Sequence, residues 1–291
     1  MTGKCRRLGD NISRTEVITI CSSQHEAVWR LTSHLLPVFV ESDSYSVYVP
    51  EEEIKLFEEI THPSIDIRSQ KLLDRGYSEI LTGALQSAGN VGRLGWYLQQ
   101  FFKIQAMLDS PGDRQIIWDA DCVPLADQAF FSADGNPRYM KAHEHHPPYF
   151  EMIDRLMGFA RVQDFSFVIP GFPMPRTWLT EFVQFIEQKN HGKSWGEAIV
   201  STTNFELKSG FSETETLGTW VANVKEGEWT SFDVAWERRG QSRFGRAETF
   251  TPEAAIELGQ REKLDIVSFE NWDVARAKRS KLQKFLRQLR R

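Results

Sequence analysis

The chain has 291 residues, 41% of them apolar and 26% charged, with a net charge of −5. That is length and apolar content enough for a packed core, and no stretch reaches the roughly 18 apolar residues of a membrane-spanning helix. Residues 274–291, VARAKRSKLQKFLRQLRR, carry eight Lys or Arg and no acid, which leaves −13 on the rest, and a body that acidic argues against nucleic-acid binding.

The opening MTGKCRRLGDNISRTEVITIC has basic residues but no apolar core before Glu16, so no secretion signal is expected. Cys5, Cys21 and Cys122 show no metal-type spacing and no even count, which fits a reducing cytoplasm. TEVITIC, 15–21, reads as a first buried strand and HEAVWRLTSHLLPVFVES as a helix. SYSVYVP is an alternating second strand, EEEIKLFEEI a short acidic helix and SIDIRSQ a weaker strand. Strand and helix in alternation predict a parallel sheet with right-handed crossovers. GALQSAGNVG, 83–92, reads as a loop, and RLGWYLQQFFKIQAML, 93–108, as a strong helix leading into the strand IIWDADCVPL. PRYMKA and DFSFVIP read as strands, and PYFEMIDRLMG, PRTWLTEFVQFIEQ and FSETETLGTWVANV as helices. One elaborated domain over 1–273 with a basic amphipathic helix over 274–291 accounts for the whole. The 9 Trp and 20 Phe read first as packing, with stacking on a sugar or nucleotide as the alternative.

The segment 116–125, IIWDADCVPL, places Asp119 and Asp121 at the end of a buried strand. The crevice beyond the carboxyl ends of sheet strands is where open α/β folds bind ligands. Two acids there suit Mg²⁺ or Mn²⁺, hard cations that bridge protein carboxylates to phosphate oxygens. Alone, Asp-x-Asp is a weak signal that often just caps a turn. The order GWYLQQFFKIQAM, IIWDADCVPL, FSETETLGTW resembles the GT-A glycosyltransferases, and a bacterial group associated with surface polysaccharides in particular, over roughly residues 15–270.

That resemblance implies a single GT-A, Rossmann-like α/β domain. It implies a nucleotide-diphosphate sugar donor whose diphosphate meets the metal on Asp119 and Asp121, and a saccharide or lipid-linked acceptor. Cys21, Ser22 and Ser23 should border the nucleotide, with Asp66 a candidate for the base or ribose. Arg93, Gln100 and Lys103 lie on the helix before the metal strand. Arg93 and Lys103 are cations for phosphate, and Gln100 and Lys103 share an i, i+3 face; the plainer alternative is a solvated helix face.

In GFSETETLG, Ser212 followed by Glu215 matches a capping box, which gives Glu215 a structural duty. Glu213 has no such duty, and in inverting enzymes of the family resembled an acid at a comparable helix start is the general base; Glu215 is the second candidate. HEHHPPYF, with His143, His145 and His146, lacks a second ligand cluster for zinc and reads as a polar loop near the sugar site. IPGFPMPRTW reads as a rigid loop whose Phe172 and Trp178 either shape an acceptor pocket or merely connect strand to helix. In the tail, Leu282, Phe285, Leu286 and Leu289 share one helical face among the cations, the pattern of a helix on an anionic membrane or of one docked on the acidic body.

Two other classes compete. DADCV fits the nucleophile pattern of a haloacid-dehalogenase-type phosphohydrolase, with Asp119 phosphorylated and Asp121 as acid/base; two strands and over a hundred residues precede it here, and no convincing later acidic pair is present. A non-enzymatic peripheral membrane adaptor leaves the strand-end acids unexplained.

Overall fold

The structure, a computed structural model, describes residues 13–270 together with 272 and 273. The basic helix expected over 274–291 lies outside the described residues. Thr15–Ile20 (β1) is a β-branched run buried at five of its six positions, as a strand covered on both faces requires. Glu26–Phe39 (α1) buries Val28, Leu31 and Leu35 at helical spacing. Ser44–Val49 (β2), Ile54–Ile60 (α2), Ile65–Ser69 (β3), Tyr77–Ser87 (α3), Leu94–Asp109 (α4) and Arg114–Trp118 (β4) come after it.

β1 pairs in parallel with β2 on one side and with β4 on the other, and β2 pairs in parallel with β3. The chain therefore steps outward from β1 to β3 and returns across β1 to lay down β4. The direction of growth reverses between β1 and β4, and the crevice beyond their carboxyl ends is the place such a fold offers a ligand. The mostly parallel α/β sheet expected from the alternating pattern is present.

Cys122–Pro124 (β5), Arg138–Met140 (β6), Pro147–Met157 (α5), Gly171–Pro175 (β7) and Arg176–Lys189 (α6) come next. β7 runs antiparallel to β4 and completes the order β3-β2-β1-β4-β7. Here two expectations are corrected. DFSFVIP is not a strand: it makes a single bridge, Ala142 with Ser166. The strand is the next segment, GFPMP, expected to be a loop because of its prolines. Asp119 N donates to Pro170 O and Arg176 N to Asp113 O, so the same alternation puts Pro173 and Pro175 where their missing N–H groups would point off the sheet edge. Edge strands accept proline at such positions. Gly171 is required by crowding, since a Cβ there would fall 2.3 Å from the Phe130 ring.

The loop expected over 83–92 is also shorter than its composition implies. α3 runs on to Ser87 because Leu81 and Leu85 are both fully buried one turn apart, which outweighs the cost of Gly83 inside the helix.

Trp195–Thr202 (α7), Glu213–Val224 (α8), Thr230–Phe232 (β8), Trp236–Glu237 (β9), Gly240–Phe244 (α9), Pro252–Glu262 (α10) and Ile266–Ser268 (β10) complete the described elements. They build two small sheets, β5-β10-β9 and β6-β8. Most of the large aromatic rings are core, with Trp29, Trp118, Trp220, Phe101, Phe167 and Phe172 fully buried. Among the described residues no helix is long and apolar enough to cross a membrane.

Candidate functional site

Where β4 leaves the sheet, its last side chain shapes the turn beyond it. The Trp118 indole donates to Cys122 O at 2.7 Å, and Cys122 N donates back to Asp119 O at 3.1 Å. The tight turn Asp119-Ala120-Asp121 is thereby closed. Ala120 is buried, with its carbonyl bonded by the Thr32 hydroxyl of α1 at 3.3 Å. Phe269 N holds the carbonyl of Asp121 at 2.9 Å. With the small residue inside, both carboxylates stand half-buried at the crevice. One oxygen from each acid and the Cys122 Sγ lie within 4.8 Å of one another.

α4 supplies the counter-charge. Lys103 Nζ sits 2.6 Å from Asp119 Oδ1 and 2.6 Å from Glu213 Oε1, joining the strand end to the first turn of α8. One turn earlier on the same face, Gln100 Oε1 accepts from Glu213 N at 3.2 Å, an orphan donor that a helix start must satisfy. The shared face of Gln100 and Lys103 is real, but it is not solvated: both side chains are buried. Lys103, expected to meet phosphate directly, is spent on two carboxylates. Burial alone would lower its pKa, yet Asp119 and Glu213 outweigh it and raise the value, so this ammonium stays charged.

Asp119, Asp121 and Glu213 set three carboxylates against that one ammonium. Burial raises the pKa of Asp119, Lys103 opposes this, and the charges of Asp121 and Glu213 add to it. A divalent cation would relieve the excess negative charge. The donors fit a hard ion, with two carboxylates leaving room for water and phosphate oxygens. Cys122 suits it less: its thiol is pushed up by burial and then by Asp121 and Asp119, and its sulfur lies 2.9 Å from Ser268 Oγ.

Glu215, two residues beyond Glu213, faces elsewhere. The Ser212 hydroxyl accepts from Glu215 N, so half of the expected capping box is present. The other half is not, because the carboxylate reaches away from the cap to Ser166 Oγ at 2.6 Å and Phe167 N at 2.9 Å. Its duty is to pin the loop 166–167 against α8. Gly218 permits that approach, since a Cβ there would fall 2.1 Å from the Phe167 ring. Burial raises the Glu215 pKa, with Ser166 and Phe167 opposing, and its second oxygen is buried without a partner.

The remaining expected residues divide. Cys21 follows β1 directly and packs in one apolar cluster with Ala120 and Trp29; its thiol is raised chiefly by burial, with Asp121 and Glu53 among the further causes. Ser22 and Ser23 begin the loop at that strand end, where Ser23 N and Oγ donate to Glu53 at 2.7 and 2.5 Å. Asp66 is not brought to the acids. It lies in β3 in register with Ser46 and, through it, with Ile18, short of the strand ends, and pairs with Arg68. Arg93 is not brought there either: its guanidinium donates to Lys208 O at 2.7 Å and stacks on Trp96. Phe172 and Trp178 are buried in the core. Among the described residues the three histidines form no metal cluster, and His146 is engaged with Ser209 O. Unread in the sequence were Ser268, whose hydroxyl lies 2.9 Å from Cys122 Sγ, and the pairing of Arg238 with Glu144 and Glu270. Ser268, Glu270 and Arg238 lie in segments that carry no motif, and Glu144 in a loop read only for its histidines.

No protein-family model matches the chain, and no curated protein matches it. Among solved structures it is similar to mouse xyloside xylosyltransferase 1 in its apo form, at 9% identity and a TM-score of 0.48, over 88% of this chain and 98% of that one.

Proposed function

We propose that the protein is a metal-dependent glycosyltransferase that moves a sugar from a nucleotide-diphosphate donor to a saccharide or lipid-linked acceptor. The observation that carries this is the convergence of Asp119, Asp121, Glu213 and Lys103 on one crevice, at the point where the sheet's order reverses between β1 and β4. Asp119 and Asp121 would hold Mn²⁺ or Mg²⁺, which supplies Lewis-acid neutralisation of the departing nucleotide diphosphate. Cys21, Ser22 and Ser23 would border the nucleotide at the end of β1.

Lys103 binds one oxygen each of Asp119 and Glu213 and so fixes the two carboxylates relative to each other. Glu213 Oε1 is taken by Lys103, so Oε2 would accept the proton of the attacking acceptor hydroxyl. Glu215 has no part in that step, because its carboxylate is committed to Ser166 and Phe167. For the biological setting we propose bacterial surface-polysaccharide synthesis at the inner face of the cytoplasmic membrane, with 274–291 resting on anionic lipid. Full-length chain should sediment with acidic vesicles at low salt, and chain lacking 274–291 should not.

The deciding measurement is calorimetry of nucleoside diphosphates with Mn²⁺. Asp121→Ala should weaken metal-dependent binding by about a hundredfold or more, on the scale of losing a charged metal ligand, with the melting temperature unchanged. Equal affinity in the two proteins overturns the reading.

A further inference from the structure

Beside the crevice lies a cleft of about 550 Å³ lined by Lys141, His143, Glu144, Trp236, Arg238 and Trp272, within the roughly 300–1,000 Å³ of small-molecule sites. Two of its walls lead back to the two halves of the candidate site. One is β9, joined through β10 to β5; the Trp236 indole donates to Ser268 Oγ at 2.7 Å, and the same hydroxyl lies 2.9 Å from Cys122 Sγ. Two strand spacings, about 10 Å, separate β9 from β5, room for one ring beyond the acids. The other wall runs from Glu144 back to Ala142, whose backbone exchanges hydrogen bonds with Ser166. Ser166 in turn donates to Glu215, two residues from Glu213. Arg238 ties the walls together, 2.6 Å from Glu144 and 2.9 Å from Glu270.

The lining is the kind that recognises a sugar. Trp272 is 44% exposed, and its indole N–H donates to Glu270. A large aromatic face left open beside a polar cleft is an offer of stacking, not of core packing. Trp236 has the Arg238 guanidinium over its ring at 4.9 Å and serves as side wall. The cations of the cleft have acidic partners: Arg238 has two carboxylates, Lys141 lies 3.4 Å from Asp233, and Arg239 lies 3.8 Å from Glu237. A charged ligand would have to displace one of these pairs, whereas hydroxyl groups can bond to them as they stand.

We infer that this cleft is the acceptor subsite, that its ligand is a neutral saccharide, and that Trp272 is the platform on which the acceptor ring stacks. The inference rests on the proposed transferase reading, because it places the acceptor hydroxyl between the Asp121 side and the Glu213 side of the crevice. The indoles of Trp236 and Trp272 bond to Ser268 and Glu270, outside the Asp119–Lys103–Glu213 bridge, so the platform and the donor site are separable by mutation.

The test uses the full chain on an array of neutral and uronic-acid-containing oligosaccharides, followed by calorimetry with the best-bound neutral disaccharide and, separately, with UDP, GDP and Mn²⁺. Wild type should bind neutral oligosaccharides. Trp272→Ala should bind the disaccharide roughly tenfold more weakly, Trp272→Phe should keep most of the affinity because it keeps a ring, and nucleotide affinity should be the same in all three. Equal disaccharide binding by the alanine variant overturns the subsite, as does loss of nucleotide binding in that variant, which would assign the ring to the donor. Selective binding of acidic oligosaccharides overturns the neutral acceptor. If wild type binds no nucleoside diphosphate while disaccharide binding still depends on Trp272, the transferase reading fails and the saccharide site stands.

Discussion

The five-stranded sheet and the small sheet β5-β10-β9 meet at the same two acids, yet they are built in opposite ways. In the large sheet, β1 and β4 have six and five residues and are buried along almost their whole length. In the small one, the strands have two or three residues, and Pro124 of β5 finds its partner at Ile266. The first sheet draws its stability from long continuous burial. The second buries β5 and β10 as well, but over three residues each, and is pinned by individual contacts, among them Trp236 to Ser268 and Phe269 to Asp121. The rigid sheet thus carries the acids that need fixed geometry, and the lightly built one carries the cleft, where a ligand must be admitted.

The largest effect should come from the bridge that joins the rigid sheet to α8. Lys103→Met leaves Asp119 and Glu213 facing each other without their ammonium, and breaking a buried pair costs about 3–5 kcal/mol. Calorimetric melting should fall by roughly 10 °C, at about 2–4 °C per kcal/mol for a domain of this size. Mn²⁺ should restore part of the loss in the variant and shift wild type less, because a cation at Asp119 and Asp121 takes over some of the lost neutralisation. A melting temperature equal to wild type would show that the bridge contributes nothing to stability.

A like-for-like substitution in each sheet sharpens the contrast. Ile117 in β4 and Ile266 in β10 are both fully buried, and truncation of isoleucine to alanine costs about 2–5 kcal/mol, depending on how far the site collapses. Ile117 lies between β1 and β7, so its cavity should stay open and its cost lie near the top of that range. Ile266, among strands of two and three residues, should cost near the bottom. Denaturant unfolding of the two variants measures this directly. Equal costs would mean the small sheet is as rigid as the large one.

The same contrast decided what could be read before the fold was known. β1, α1, β2, α2, β3, α4 and β4 carry hydrophobic patterns longer than a turn, and the order they imply places Asp119 and Asp121 at the crevice. GFPMP failed as a strand because its prolines speak against sheet, while the edge position that tolerates them is a tertiary fact. Residues 225–273 yielded no elements: two- or three-residue strands have no period to detect and their partners are far off in sequence, while the 11-residue α10 was missed although its Thr251 cap and Pro252 start were legible. Glu213 was singled out because Glu215 had an apparent duty at the cap and because the family resembled has an acid at a comparable helix start. The structure keeps that contrast between the two acids but replaces its cause. The Lys103 bridge had no local signal at all, because its partners lie 16 and 110 residues away.

The smallest effect concerns Glu215, and it shows through pH. Its carboxylate is buried and its pKa raised by that burial, against the opposing bonds from Ser166 and Phe167. Below the unfolded value, about 4.3, both states are protonated and the group favours folding to the full extent it can. As pH climbs through the raised folded value, the native protein must release a proton it binds more tightly than the unfolded chain does. That share of stability is then lost and stays lost above it. Glu215→Gln has no such proton. Its amide oxygen can still accept from Ser166 and Phe167, and its NH₂ takes the place of the oxygen that has no partner. The melting temperature of the variant minus that of wild type should therefore rise between pH 4 and pH 7, by a few degrees at most. A difference that falls over that range would mean the two charge-assisted bonds outweigh burial, and that the loop 166–167 is held by the ionised carboxylate after all.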